Sequence, residues 1–185
     1  MTQISCSSND SYRSRFENLI SKSSQGQPNW LKSLREQSMN RFETLGFPTE
    51  RKGNEEWKYT DIKNIATSDF LVPYETALPS SAKKRLRQQG FDKQDFHQLV
   101  FLDGFYSAEL SSEALQIKGC IIGPLSQAWR SHAVSSSLGT LANSEDHAFT
   151  ALNTAFTRDG AFIHIPANTK IEKPINIIFL TLEWQ

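Results

Sequence analysis

The sequence predicts an α+β protein: a mainly helical region over residues 1–95, then an α/β segment over 96–185 that leads into the first rungs of a β-helix. Three observations carry this expectation. Two apolar stripes of helical period occupy the first 46 residues. After residue 97 the pattern changes to short β-branched and aromatic runs, each bounded by Gly, Pro, Asp or Asn. Near the end, strands of similar length recur with a proline or asparagine at each corner, the spacing of successive solenoid edges.

The elements follow in order. Tyr12, Phe16, Leu19 and Ile20 lie on one helical stripe, which Gly26 and Pro28 end. A second helix carries Trp30, Leu31, Leu34, Phe42 and Leu45. Gly46 closes it in the left-handed conformation that only glycine takes without strain, and Pro48 prevents its continuation. Residues 47–75 show no clean period. There Trp57 and Tyr59, set among charges in Glu55–Asp61, are expected to pin a connecting segment to the body. Ser80 to Gln89 reads as a short basic helix capped by Ser80 or Ser81 and stopped by Gly90.

Leu99 to Leu102 predicts a strand, and Asp103-Gly104 a hairpin turn into Phe105-Tyr106. A strand is expected over Leu115 to Ile122, and a helix over Leu125 to His132 with Leu125, Ala128 and Trp129 inward. Ser135 to Ser144 reads as a loop. Ser144 then caps a helix reaching Phe156, with Phe149, Leu152, Asn153 and Phe156 on one side. Asp159-Gly160 turns the chain into a strand over Ala161 to Ile165, Lys170-Ile171 gives a short strand, and Ile175 to Leu182 a long apolar one. A solenoid rung cannot bury its inner face alone. The chain stops at Gln185 directly after such a strand, so the sequence is expected to be a truncated front part of a longer protein. Its open strand edge could then pair with a second copy.

The sequence carries little recognisable chemistry. Twenty basic against twenty acidic residues argue against broad nucleic-acid binding, and the basic run Lys83, Lys84, Arg85, Arg87 reads as a solvated helix face. No apolar run approaches the roughly 20 residues of a membrane span, and the first ten residues lack the pattern of a secretory signal. A cytoplasmic protein without nucleic-acid or membrane partners is expected. Cys6 and Cys120 make neither a disulfide framework nor a CxxC pair, and Cys120 reads as a buried small hydrophobe. His97, His132, His147 and His164 are scattered. Glu145-Asp146-His147 reads as a helix start with favoured acidic residues, and His164 as an exposed strand residue. Asp103 and Asp159 precede glycines and read as turn residues. Phosphate-loop, dinucleotide, zinc-protease and serine-elbow motifs are absent. No catalytic or metal-ligating residue is assigned, and the cofactor-binding residues are left unknown.

Several segments carry a recognisable pattern. Gly46–Asp61 (GFPTERKGNEEWKYTD) and Leu99–Ser111 (LVFLDGFYSAELS) resemble successive blocks of the SufB/SufD family on its SufD side. Ala151–Phe156 (ALNTAF) with Asp159–Ile175 (DGAFIHIPANTKIEKPI) is similar to the entry into the β-helical core that SufB and SufD share. The resemblance implies a non-enzymatic scaffold subunit of an iron–sulfur cluster assembly complex, with SufB and the ATPase SufC as partners. It implies no cofactor within this stretch, since the family's cluster-linked cysteine and histidine have no counterpart in residues 1–185; the parent complex handles nascent clusters. Reduced flavin is associated with such complexes, but nothing here locates a flavin site. The alternative from another class is a β-helical carbohydrate-active or binding module. It needs carboxylates clustered on one strand face, and Ile175 to Leu182 offers none.

Overall fold

In the computed structural model, residues 7–23, 26–49, 55–68, 70, 72, 78–91, 95–113 and 117–182 are described. Cys6, Leu115 and Glu183 lie outside them. The chain forms an α+β protein whose N-terminal helices are followed by a few strands, with three further short helices between the third and fourth strands. Two compact units each gather two stretches of chain: residues 1–72 with 135–157, and residues 73–134 with 158–185.

The first unit is helical. Helix α1 (Ser7–Ser23) buries Tyr12, Phe16 and Leu19, the stripe that the period predicts. Helix α2 (Asn29–Leu45) buries Leu31, Arg35, Ser38, Met39 and Phe42, a continuous helical stripe on which two members are polar. Leu34 and Leu45, expected inside, are half-buried. Gly46 ends α2 with its N–H on the Phe42 carbonyl at 2.8 Å. Its φ is positive at 64° as expected, but ψ is −179°, so it leaves in an extended rather than left-handed helical conformation.

Later in the chain, α7 (Ala148–Ala155) returns to pack on α2. Its buried face is Ala151, Thr154 and Ala155, whereas Asn153 is exposed and Leu152 and Phe156 are half-buried. This corrects the expected face of large residues: small side chains let the two backbones approach closely. Ser144 does not cap the helix. The N-cap is His147, three residues later and without a side-chain cap bond, while the Asn143 Oδ1 accepts the Glu145 N–H in the preceding turn. The core joins Tyr12, Phe16, Met39, Phe42, Ala151 and Ala155. Its aromatic rings meet edge-on, as Tyr12–Phe42 does at 5.7 Å and Phe42–Phe47 at 5.1 Å, the arrangement the ring quadrupole favours. Among the described residues, a 3₁₀ turn (Glu55–Trp57) and α3 (Lys63–Thr67) follow α2 in the chain and belong to the same unit.

The second unit is organised by β1 (His97–Leu102), whose residues from Gln98 onward are all buried. Strand β2 (Phe105–Tyr106) pairs antiparallel with it, and β5 (Ile175–Leu180) pairs parallel in unbroken register from His97↔Ile175 to Leu102↔Leu180. Asp103 and Gly104 form the two-residue turn with φ of 49° and 87°, both positive as a type I′ hairpin requires. Where β2 is too short to satisfy β1, serine hydroxyls replace it. Ser112 Oγ accepts the Gln98 N–H at 3.0 Å and Ser111 Oγ accepts the Val100 N–H at 2.9 Å.

Helix α4 (Ser80–Gln88) covers one face of this sheet, setting Ala82 and Leu86 against Val100, Leu102 and Leu110. Burying a leucine of this kind contributes about 2 kcal/mol. Neither Ser80 nor Ser81 caps it, because Pro79 holds the N-cap position and the helix opens on Ser80 itself. At its end Phe91 N–H reaches the Leu86 carbonyl and Gly90 N–H the Arg87 carbonyl, the paired bonds of a Schellman stop.

The remaining strands are β3 (Ile121–Pro124) and β4 (Ala161–His164), an antiparallel pair. The strand expected over Leu115 to Ile122 therefore begins later and includes Gly123 and Pro124. Residues 170 and 171 are not a strand; Asn168 at φ 61° and the Thr169 N–H on the Pro166 carbonyl make a turn instead. The single helix expected over Leu125 to His132 is two, α5 (Leu125–Ala128) and α6 (His132–Ser135). Ser131 divides them, its hydroxyl accepting the Ala133 N–H. Leu125, Ala128 and Trp129 are buried as expected.

Candidate functional site

Ordinary local chemistry accounts for most residues singled out in the sequence. Asp103 Oδ1 accepts the Leu182 N–H at 3.1 Å as well as shaping its turn. Asp159 caps α5 from a distance, taking the Ser126 N–H and hydroxyl, each at 2.9 Å. In α4, Lys83 is paired with Glu109, and Arg85 donates to the Thr181 carbonyl at 3.0 Å. His132, His147 and His164 are exposed, and His97 is half-buried at the start of β1. Cys120 carries a free thiol and is half-buried rather than buried. Among the described residues no group of three or more His, Cys, Asp or Glu is placed to hold a metal ion. No helix there is long and apolar enough to cross a membrane.

The segment Glu55–Asp61 behaves differently. Trp57 is half-buried and leans on Phe149 of α7, ring centres 5.3 Å apart, so it does pin the segment. Tyr59 does not. It is 90% exposed, in a turn closed by the Thr60 N–H on the Trp57 carbonyl, with the ammonium of its neighbour Lys58 over its ring. The expectation that both aromatics bury is corrected for Tyr59.

Around Trp57 lies a cleft of about 560 Å³, bounded by the end of α2, the 3₁₀ turn and the start of α7. A chain of rings, Phe42–Phe47–Phe149–Trp57, links the helical core to its floor. Its lining includes the acidic residues Glu55, Glu56 and Asp146 together with His147. The Lys58 ammonium stands 4.0 Å from Glu55, and the His147 Nδ1 stands 4.0 Å from Glu56. In the same unit α1 and α2 are clasped by Arg13, whose guanidinium grips Glu43 through Nε at 2.7 Å and Nη2 at 2.5 Å and reaches Glu36 at 2.7 Å. That grip holds the Glu43 carboxyl below the usual carboxylate range.

Sequence reading missed Arg35. It is wholly buried, donating Nε to the Ala155 carbonyl at 2.9 Å and Nη1 to Gln27 at 3.0 Å. The signal was available, since 31, 35, 38 and 42 are successive positions on one helix face.

Fold and site together define an α+β protein that presents an acidic cleft on an aromatic floor, with no metal-holding cluster among the described residues. The chain belongs to the family of SufBD protein N-terminal regions, whose model matches residues 6–177. It is 32% identical over 139 residues to an iron–sulfur cluster assembly SufBD family protein of Synechocystis, covering 71% of this chain and 28% of that protein. With the iron–sulfur cluster assembly protein SufD of Bacillus subtilis it shares 26% identity over 159 residues, 83% of this chain and 36% of that one. A SufBD family protein of Staphylococcus saprophyticus is 24% identical over 178 residues, 91% of this chain and 38% of that one. The chain thus spans about a third of the length of these relatives.

Proposed function

We propose that this chain is a non-catalytic scaffold module of iron–sulfur cluster assembly, working on the SufD side of a SufB–SufC–SufD complex in the cytoplasm. The reading is supported by a family match that runs through both compact units and by relatives named for that process. The cluster is cargo of the assembly, and the chain brings no cofactor of its own.

The observation that carries the scaffold reading is the pairing of β5 on β1. Six residues stack parallel and in register, as strands of neighbouring rungs do in a β-helix. The outer side of β5 pairs with no strand among the described residues, and Ile177 and Phe179 are exposed, Phe179 by 67%. An apolar edge strand of this kind accepts a further strand, whether from a next rung or from a second copy. On this reading β1 and β5 open the β-helix on which the partner subunits assemble.

Co-expression of the full-length protein with SufB and SufC under oxygen-free conditions tests the proposal. The three are expected to purify together in constant ratio. A protein that leaves the other two behind would overturn the reading.

A further inference from the structure

We propose that the cleft around Trp57 is a docking site for an arginine-bearing segment of a partner protein. Trp57, its ring resting on Phe149, lines the cleft together with the acidic residues Glu55, Glu56 and Asp146. Aromatic faces carry negative potential, so a ring among acidic residues favours a cation twice over. A guanidinium fits better than an ammonium, because it is flat enough to stack on an indole while its edge N–H groups reach carboxylates in pairs.

Charge complementarity commits the occupant. Against those three acidic residues, the cations nearby among the described residues are Lys58, 4.0 Å from Glu55 and lying over Tyr59, His147 if protonated, and Arg41, which is already taken up by the carboxylate and carbonyl of Glu145. The cleft's volume of about 560 Å³ exceeds what one guanidinium fills, leaving room for the peptide that carries it. A second recess of about 250 Å³ shares Pro48 as a wall and is floored by Phe47, Ile62 and Ala66, which suits an apolar residue next to the arginine. Tyr59, two residues beyond Trp57, is 90% exposed, and tyrosine is a common anchor of interfaces.

The inference stands apart from the scaffold reading, because it is tested on the purified chain alone. The ¹⁵N-labelled protein is titrated with the peptide acetyl-Gly-Arg-Leu-Gly-amide and, separately, with its Glu-for-Arg counterpart. The Trp57 indole N–H signal is followed, identified by its loss in Trp57→Phe. The arginine peptide should move that signal to saturation and the glutamate peptide should not. Combining Glu55→Gln, Glu56→Gln and Asp146→Asn, all at exposed positions, should weaken binding about tenfold while the other indole signals stay in place. An unmoved Trp57 signal, equal response to both peptides, or undiminished binding by the triple variant would each overturn the proposal.

Discussion

Arg35 shows what one side chain can hold. A guanidinium with no exposed surface is sustained by fixed acceptors, and its bond to the Ala155 carbonyl ties the end of α7 to the middle of α2. Arg35→Ala should destabilise the protein by about 3 kcal/mol, since it deletes charge-assisted bonds and leaves a void. Urea unfolding followed by circular dichroism measures it, and a change under half a kilocalorie would show the contacts to be dispensable. Arg13 and Glu43 make a prediction about pH. The hydrogen bond from Arg13 lowers the carboxyl's folded-state pKa below its unfolded value. Its contribution is therefore complete above the unfolded pKa and is lost as pH falls through the folded one. Stability should hold near neutrality and decline below about pH 4.5. Glu43→Gln should flatten part of that decline in the same unfolding assay.

Among the elements, local sequence signals worked where the deciding interaction was itself local. The Asp103-Gly104 turn depends on two positive φ values, and Asp-Gly meets that need in either strand context. Gly104→Val should cost about 1–2 kcal/mol, because a β-branched residue at φ 87° is strained. Thermal unfolding would register the loss, and an unchanged midpoint would mean the turn had rearranged freely. The same local logic found the α1 stripe and the Gly90 stop. It failed at Ser144, where serine offered a cap but the helix began later, and at residues 170 and 171, where the turn around Asn168 won over a β-branched residue. It failed too for α7, because period alone cannot say whether the large or the small face turns inward.

At the scale of the molecule, the open side of β5 is the feature with consequences. Phe179 stacks on Phe101 at 5.1 Å yet leaves most of its surface to water. If this edge takes a further strand, the purified chain should associate with itself at high concentration. Phe179→Ser should reduce that association while lowering stability by only about 1 kcal/mol, the worth of the lost ring pair. Sedimentation velocity over a concentration series separates the two, and identical behaviour of variant and parent would remove β5 as the contact. The Trp57 cleft belongs to this scale as well. Trp57 and its acidic neighbours were noticed in sequence, but Asp146 and Phe149 stand about ninety residues further along the chain.

The sequence by itself determined the α+β class, the first two helices, the hairpin and the family, because period, turn chemistry and motif are written in neighbouring residues. Tertiary structure alone decided that α7 packs on α2, that β5 lies parallel to β1, and that Trp57 meets Phe149 over a cleft. These are contacts between distant stretches, selected by complementary shape and buried area, and no short window of sequence contains both partners.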